Sequence, residues 1–313
     1  MAIERVAIVG GGIIGSSWAI VFARAGLRVA IYEQDEARRA AVMDHIAEAL
    51  DRSAAMLRDG DTQASVLARI EVSATLAEAL QGARFVHECI LEKVESKRAI
   101  FQAFDALAEP DAILASTTSS FPVSTFAADL ACRDRAIVAH PATPPHLMPV
   151  TEICPAPFTR QEVTDATFAL MERCGQVPVL IRKEVPGFVM NRMQAGLLIA
   201  MFRCLNEGSI SAGDIDKIIS AGFGLRWAFL GPFEGVDLNA PGGIREYFER
   251  YGFIFNNTAR ELGMTEDVVT PTTIARLEEY ARGQLPLDGI PGRVAWRDGA
   301  LAALNRLKAD RPR

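Results

Sequence analysis

A glycine pattern near the start of the chain restricts the fold more than any other feature of the sequence. The segment Gly10–Gly15 matches G-x-G-x-x-G, follows the β-branched run Arg5–Val9 and precedes the amphipathic pattern Ser16–Ala25. A strand, a glycine-rich turn and a helix in that order are typical of a Rossmann-type dinucleotide-binding unit. The same glycines also fit a plain turn in a flavodoxin-like fold, so the interpretation depends on the rest of the chain.

Each glycine of the pattern has a separate physical task. Gly10 allows the tight turn, Gly12 lets the backbone approach a pyrophosphate, and Gly15 lets helix and strand pack closely. The phosphates are expected at the helix N-terminus, where free N–H groups and the helix dipole favour anions. Ile13 and Ile14 are expected to lie against the cofactor.

An acidic residue supports the dinucleotide site and selects the cofactor. Glu33 ends the second β-branched run, Leu27–Tyr32. A carboxylate at that place accepts hydrogen bonds from both ribose hydroxyls and repels a 2′-phosphate. We therefore predict that NAD, rather than NADP, is the cofactor.

Up to about Glu184, short β-branched runs alternate with longer helical patterns, which is typical of βαβ units around a parallel sheet. The predicted strands are Arg5–Val9, Leu27–Tyr32, Ile70–Ser73, Arg84–Ile90, Ala112–Ser116, Arg135–His140, Val150–Cys154 and Val177–Arg182. Beyond Val185-Pro-Gly187 the apolar spacing becomes helical, and Ser211-Ala-Gly-Asp214 resembles a capping box. We predict an α/β Rossmann-type domain over residues 1–185 and an all-α helical domain over residues 186–313.

Length and charge agree with a two-domain protein that acts on small molecules. Single cores stop growing at about 250 to 300 residues, and this chain has 313. Its 39 acidic and 33 basic residues give a formal net charge of -6 with no basic run. That balance argues against nucleic acid or an anionic membrane as a partner.

The cysteines and the first residues indicate a cytoplasmic protein. Five widely spaced cysteines without a C-x-x-C pair favour a reducing compartment over a disulfide framework or a zinc site. The first residues carry charges and run straight into the glycines, unlike a signal peptide. The apolar run over residues 195–202 is too short to cross a bilayer.

Four polar residues stand at the ends of predicted elements, where open α/β sheets build their sites. Ser119 follows a predicted strand, and His140 ends the next one. Glu152 lies in an apolar run, where an acid needs a partner, and Asn191 lies at the start of the helical domain. These residues are the candidate catalytic set.

The candidate set suits the oxidation of a secondary alcohol. This reaction needs a base for the hydroxyl proton while hydride leaves for a nicotinamide, and imidazole has a suitable proton affinity near neutral pH. His140 is the candidate base, and Glu152 is expected to fix its tautomer and stabilise the imidazolium. Ser119 and Asn191 are expected to bond and orient the reacting oxygen. Each residue alone also fits an ordinary role, as a structural histidine, an ion-pair partner, a helix cap or a helix-face amide.

Several motifs resemble those of the 3-hydroxyacyl-CoA dehydrogenase superfamily, and within it the lambda-crystallin branch. They cover nearly the whole chain: the strand and glycines at Arg5–Gly15, His87-Glu-Cys-Ile-Leu-Glu92, Thr118-Ser-Ser120, Ala139-His-Pro141, Lys183-Glu-Val-Pro-Gly-Phe-Val-Met-Asn-Arg192 and Gly224-Leu-Arg-Trp-Ala-Phe-Leu-Gly-Pro-Phe233. The resemblance implies an NAD-dependent dehydrogenase that forms a homodimer. The functional positions that it implies are the catalytic Ser119, His140, Glu152 and Asn191 and the cofactor contacts Glu33, Glu92 and Lys97. For Glu92 and Lys97 the alternative is a solvent-facing helix start with ordinary charges.

The sequence departs from the thioester-specific members of that superfamily after the strand that His140 ends. Those members resemble H-F-F-N-P there, whereas this chain has His140-Pro-Ala-Thr-Pro144. Thr143 therefore replaces an asparagine at a predicted substrate-binding position, and a hydroxyl offers only part of an amide's hydrogen-bonding set. The segment 44–69, where those members place lysines against the coenzyme A nucleotide, contains no lysine.

Arg226 is a further predicted substrate-binding residue. The lambda-crystallin branch also has arginine at this position, and a guanidinium offers a planar fork to the carboxylate of a free acid. The alternative is an ion pair with Glu234 or Asp237. Trp18 and Trp227 are possible pocket walls, although a buried core position is commoner for tryptophan.

We therefore predict NAD-dependent oxidation of the 3-hydroxyl of a small free hydroxy acid, for which the resemblance suggests L-gulonate. The alternatives are L-carnitine, whose trimethylammonium needs an aromatic or acidic pocket, a short-chain 3-hydroxyacyl-CoA thioester, and a crystallin-like structural role. The intact candidate set argues against a purely structural role. An apolar stripe after Phe188 and the aromatics of Tyr247–Tyr251 favour a two-fold dimer, unless the stripe is internal core.

Overall fold

An eight-stranded sheet lies at the centre of the N-terminal part of the chain in the computed structural model, which describes residues 3–309. Its strands are β1 (Arg5–Val9), β2 (Arg28–Tyr32), β3 (Ile70–Ser73), β4 (Phe85–Glu88), β5 (Ile113–Ser116), β6 (Ala136–Pro141), β7 (Val150–Pro155) and β8 (Val177–Leu180). They stand side by side in the order β3-β2-β1-β4-β5-β6-β7-β8. Each predicted strand is present, with its ends within two residues of the prediction.

The sheet is not parallel throughout, which corrects the prediction. β6 and β7 are antiparallel, whereas every other neighbouring pair is parallel. Only residues 142–149 join these two strands, and a parallel crossover needs a dozen or more residues. The short link therefore forces β7 to run back beside β6.

Helices cover both faces of the sheet. They are α1 (Ile13–Arg24), α2 (Glu36–Arg52), α3 (Gln63–Leu67), α4 (Leu76–Leu80), α5 (Val94–Leu107), α6 (Ser124–Ala127) and α7 (Gln161–Arg173). One core contains Trp18 and Phe22 of α1, and the other contains Phe101 and Phe104 of α5. Central strands buried on both faces explain the nearly continuous apolar runs of the sequence.

The described chain divides into two units, one ending at Ala195 and the other beginning at Gly196. The division falls inside helix α8 (Phe188–Asn206), and the domain boundary near residue 185 stays a prediction. The second unit is helical: α9 (Ala212–Ile218), α10 (Gly224–Trp227), α11 (Pro232–Asp237), α12 (Gly243–Glu261), α13 (Pro271–Gln284) and α14 (Ile290–Ala309). The predicted α/β fold followed by an all-α region is confirmed.

The second unit has small cores, and α8 has a largely exposed apolar face. Ile244, Phe248 and Ala281 form one core cluster, which joins α12 to α13. On α8, by contrast, Met193, Ile199 and Phe202 are more than half exposed. Within residues 3–309, every helix is too short or too polar to span a membrane.

Candidate active site

The glycine segment forms the predicted turn, and two of its glycines have no room for a side chain. Gly10 has a φ of 110°, and a Cβ there would lie 2.5 Å from the carbonyl oxygen of Cys89. A Cβ on Gly15 would overlap the carbonyl oxygen of Gly10. A Cβ on Gly12 would meet nothing within 4 Å, so the backbone there is open to a ligand.

The N-terminus of α1 fits the pyrophosphate of a dinucleotide. Gly12 is the N-cap residue and has no side chain to accept from the first N–H groups of the helix. Ile13 is 81% exposed, and Ile14 is half-buried. Free N–H groups at the positive end of a helix dipole bind anions.

Glu33 stands beside this turn with a fixed carboxylate. It accepts from the backbone N–H of Gly11 at 2.9 Å and from that of Asp35 at 3.1 Å. Glu33 and Gly12 line one cleft of about 820 Å³, a volume typical of cofactor sites. The cleft, the open helix end and the carboxylate together fit NAD.

Arg38 also lines the cleft, and the sequence analysis missed it. Its exposed guanidinium lies 3.9 Å from the Asp35 carboxylate. Nothing in the sequence distinguishes this arginine from other basic residues on the surface of α2.

The structure brings His140 and Glu152 together. They face each other in the antiparallel register of β6 and β7, and His140 Nδ1 lies 2.8 Å from Glu152 Oε2. Both side chains are buried. Because a carboxylate oxygen only accepts, Nδ1 carries the hydrogen, and Nε2 of the neutral ring is left as the base.

Glu152 also holds the start of α8. Its Oε1 accepts from the backbone N–H groups of Val189 at 2.9 Å and Met190 at 2.8 Å. Burial raises the pKa of Glu152, but the bonds from His140 and from these N–H groups outweigh burial, so the pKa lies below its ordinary value. The acid is therefore ionised and ties the candidate base to the helix that carries Asn191.

A strained residue shapes this connection. Phe188 has a φ of 46°, which bulky residues rarely adopt, and it follows Gly187 with a φ of 74°. The Phe188 ring is fully buried and lies 5.6 Å from the His140 ring, centroid to centroid. The strain is of the order of 1–3 kcal/mol, and the two N–H bonds to Glu152 together with the buried ring offset it.

Ser119 and Asn191 also meet. Asn191 Nδ2 donates to the backbone carbonyl of Ser119 at 3.0 Å. The Ser119 hydroxyl is 3.5 Å from both the Glu92 carboxylate and the Ser120 hydroxyl. It is thus only loosely engaged and can bind another oxygen. The structure joins all four candidate residues through Glu152 and α8.

The structure corrects one of the two predictions made for Lys97. Its side chain is fully buried and lies 3.0 Å from Glu88 and 3.1 Å from Glu92. It is therefore no solvent-facing charge, and its role as a cofactor contact stays a prediction. Glu92 is one-third exposed and remains a candidate cofactor contact.

The loop that carries Thr143 is held by a residue that the sequence analysis missed. Thr143 is exposed, but His146 is buried with its Nδ1 2.5 Å from the Ser17 hydroxyl of α1. Arg24 donates to the His146 carbonyl at 3.2 Å. Burial, and then the nearby Arg24 and Arg52, lower the pKa of His146, so the ring is neutral and accepts from Ser17.

Arg226 lies in the second unit, and the alternative ion pair is wrong. Glu234 pairs with Arg293, and Asp237 pairs with Arg282. Within the described part of the chain, the Arg226 Nε is buried and has no hydrogen-bond partner.

The tryptophans differ in their surroundings. Trp18 is fully buried in the core and does not wall a pocket. Trp227 is 40% exposed and stacks on Phe223, with 5.2 Å between the ring centroids.

Known proteins share this organisation. The family model for the NAD-binding domain of 3-hydroxyacyl-CoA dehydrogenase matches residues 5–185, and the model for its C-terminal domain matches residues 187–269. A lambda-crystallin homolog from Bos taurus is 35% identical, over 98% of this chain and 96% of its own. An L-carnitine dehydrogenase from Pseudomonas aeruginosa is 30% identical, over 96% of this chain and 93% of its own.

A solved structure agrees with these matches. The (S)-3-hydroxybutyryl-CoA dehydrogenase of Ralstonia eutropha is 27% identical, with a TM-score of 0.66 over 84% of this chain and 89% of its own. The two family models together cover most of the sequence, and the first of them is an NAD-binding domain. The chain therefore belongs to the 3-hydroxyacyl-CoA dehydrogenase family, with NAD as its cofactor.

Proposed function

We propose that the protein oxidises the 3-hydroxyl of a small free hydroxy acid to a ketone, with L-gulonate as the leading candidate. The observation that supports this most is the buried His140–Glu152 pair, whose bond of 2.8 Å holds a hydrogen on His140 Nδ1 and leaves Nε2 outside the pair as the candidate base. A base of this kind is what the oxidation of a secondary alcohol requires.

In this mechanism the substrate hydroxyl gives its proton to His140 Nε2. Ionised Glu152 stabilises the imidazolium that forms, and Ser119 and Asn191 orient the reacting oxygen. Bound NAD supplies the acceptor for the hydride that leaves the same carbon. Gly12, the first turn of α1 and Glu33 hold the pyrophosphate and the ribose.

Arg226 supports a free acid over a thioester. Its guanidinium lies over Phe223, 5.7 Å from the ring centroid, and its Nε lacks a partner in the described chain. It borders a cavity of about 330 Å³ in the second unit. A guanidinium at a cavity, with no ion pair to an acid within residues 3–309, suits a carboxylate, which a thioester lacks.

Two of the three arginines in the lysine-free segment 44–69 point the same way, whereas Arg52 is exposed and lies 3.8 Å from Glu48. Arg58 donates to the carbonyls of Ala25 and Arg173. Arg69 donates to the carbonyl of Ala23 and to Asp61. Cations occupied by backbone carbonyls and an acid are less available to a coenzyme A phosphate.

L-carnitine is the second candidate, because an L-carnitine dehydrogenase is among the relatives. A trimethylammonium group needs an open aromatic face. The Phe223 face is already opposed by the Arg226 guanidinium, which disfavours a second cation there. A crystallin-like structural role remains the non-enzymatic alternative, and the ordered His140–Glu152 pair argues against it.

The exposed apolar faces suggest a homodimer. Besides α8, helix α12 exposes Tyr251, Phe253 and Ile254. An exposed apolar face on α8 together with an aromatic-rich face on α12 is typical of an isologous interface. Sedimentation analysis at micromolar concentration should show a dimer, and a monomer would remove this part of the proposal.

The test is NADH formation with L-gulonate, L-carnitine, 3-hydroxybutyrate and 3-hydroxybutyryl-CoA in parallel, with NAD and then with NADP. We expect turnover of a free acid with NAD. Turnover of the thioester alone would contradict the proposed substrate class, and absence of NADH with every substrate would favour the structural role.

Arg226→Met tests the carboxylate contact. Losing a charged hydrogen bond costs about 1.5–3 kcal/mol, so kcat/KM for the free acid should fall about 10- to 100-fold. Arg276→Met, at an exposed position of α13, is the matched control. An equal effect of the two substitutions would mean that Arg226 does not bind the acid.

A further inference from the structure

A buried cluster of charged residues lies behind the Ser119 loop. Lys97, in the first turn of α5, is fully enclosed. Its Nζ lies 3.0 Å from each carboxylate oxygen of Glu88 and 3.1 Å from Glu92 Oε2. An ammonium has three donors, and these two acids engage them.

Glu88 attaches the cluster to the sheet. It is the last residue of β4 and stands opposite Ser116 of β5 in the parallel register. Its carboxylate accepts from the Ser116 hydroxyl at 2.5 Å and from the Ile90 N–H at 2.8 Å, in addition to Lys97. Glu88 and Ser116 are both fully buried, so this end of the cluster is rigid.

Glu92 attaches the cluster to the loop. Its Oε1 accepts from the Thr118 hydroxyl at 2.7 Å and from the backbone N–H groups of Ser119 and Ser120, both at 2.9 Å. Only its other oxygen reaches Lys97. Glu92 thus fixes the backbone of residue 119 itself, while Asn191 holds the carbonyl of the same residue from the opposite side.

The chemistry of the cluster explains why Lys97 is needed. Three donors from one loop converge on a single Glu92 oxygen, which requires the ionised acid. Burial raises the pKa of Glu92, but the Thr118 hydroxyl, Lys97 and the Ser120 N–H outweigh burial, so the pKa lies below its ordinary value. Without Lys97, the Glu92 carboxylate would lose the one cation that lies beside it in the described part of the chain, together with its tether to the sheet.

We propose that Glu88 and Lys97 are positioning residues, which hold Glu92 against the loop 118–120 and thereby place the Ser119 hydroxyl for the reaction. The proposal rests on the proposed role of Ser119. It differs from a purely structural ion pair, because the effect must pass through Ser119, and the affinity for NAD distinguishes it from a cofactor contact of Lys97.

A double-mutant cycle separates these roles. Lys97→Met should lower kcat/KM for the hydroxy acid about 10-fold in the wild-type background. In the Ser119→Ala background the same substitution should lower it less than about 2-fold, because the hydroxyl to be placed is gone. Lys93→Met, four residues earlier and exposed, should change kcat/KM less than about 2-fold in either background.

The outcomes of this cycle distinguish failure of the positioning proposal from failure of the proposed function. If Ser119→Ala lowers turnover and the Lys97→Met loss is equally large in its presence, the positioning proposal is wrong and the proposed function stands. If Ser119→Ala has no effect, the role of Ser119 and this proposal fail together. A rise in the dissociation constant for NAD in Lys97→Met as large as its loss of kcat/KM, measured by equilibrium titration, would overturn the proposal in favour of a cofactor contact.

A second variant serves as the control for misfolding. Should Lys97→Met fail to fold, the pair Glu88→Gln with Lys97→Met also removes the charge of the fully buried Glu88 and leaves only Glu92, which is one-third exposed, without its cation. The same dependence on Ser119 is expected for this variant, and additivity with Ser119→Ala overturns the proposal.

Discussion

Two buried pairs each join a basic side chain to a carboxylate of the same sheet, and they differ in what the basic group can still do. Glu152 binds His140 at 2.8 Å, and Glu88 binds Lys97 at 3.0 Å. The imidazole keeps one ring nitrogen outside the pair, whereas the ammonium is enclosed between two acids. Both pairs are buried, but only the imidazole has a nitrogen, Nε2, outside its pair. We infer that this free nitrogen, rather than burial or charge, suits a buried pair to proton transfer.

The largest expected effect comes from removing the imidazole. His140→Gln should lower kcat about 10³-fold, because general base catalysis contributes about 10²- to 10⁴-fold. The dissociation constant for NAD should stay unchanged, since the cofactor cleft lies around Gly12 and Glu33. NADH formation measures the fall in kcat, and equilibrium titration with NAD measures the dissociation constant. Full turnover by this variant would assign the base to another residue.

The loss of folding stability should be larger for Lys97→Met than for His140→Gln, which is the reverse of their expected effects on turnover. Lys97→Met leaves a buried carboxylate without its cation, which costs about 3–5 kcal/mol. His140→Gln retains a donor to Glu152 and should cost about 1 kcal/mol. Urea unfolding of both variants measures the difference. Equal losses in the free energy of unfolding would contradict the distinction between a structural Glu88–Lys97 pair and a catalytic His140–Glu152 pair.

Glu152→Gln tests whether one acid needs both of its oxygens. An amide has a single accepting oxygen, so it cannot bond His140 and the N–H groups of Val189 and Met190 together. We expect kcat to fall about 10²-fold, equivalent to about 2.7 kcal/mol, with a lower melting temperature. A normal kcat with only a lower melting temperature would restrict Glu152 to holding α8.

His87 supplies a third case, an imidazole buried without a carboxylate. Burial lowers its pKa to about 3 from 6.5. Below pH 6.5 the unfolded chain binds a proton that the folded chain refuses, so this group contributes stability that is lost as the pH falls. The loss should reach about 2 kcal/mol by pH 5.

The effect of His87 is measured by difference. His87→Gln should make unfolding in urea less sensitive to pH between 7 and 5, whereas exposed His45→Gln should not. The same pH sensitivity in both variants would show that other groups cause the acid lability.

The sequence alone was enough to predict the strands and the glycine turn, because these follow from local periodicity and motif chemistry. The roles of the candidate catalytic residues stay predictions. The sequence did not predict that β7 runs antiparallel, since strand direction depends on the length of the link. It also did not predict the bonds from Glu152 to α8 or the burial of Lys97. Both depend on which neighbour a side chain meets, and no spacing within one element encodes that contact.

Arg226 illustrates the same limit. Its two acidic neighbours in sequence were reasonable partners, yet Arg282 and Arg293 from later helices take them. Competition among partners that are distant in the chain decided the outcome.

The proposed mechanism requires an unprotonated Nε2 on His140, with the hydrogen of the neutral ring held on Nδ1 by Glu152. Nitrogen-15 NMR of histidine-labelled protein near pH 8 measures this directly, and the chain has only four histidines to assign by single His→Gln variants. We expect the Nδ1–H tautomer for His140 and the opposite tautomer for His87, whose Nε2 lies 3.4 Å from the Ala139 carbonyl. An Nε2–H tautomer at His140 would leave no base on that side of the ring and would contradict the mechanism.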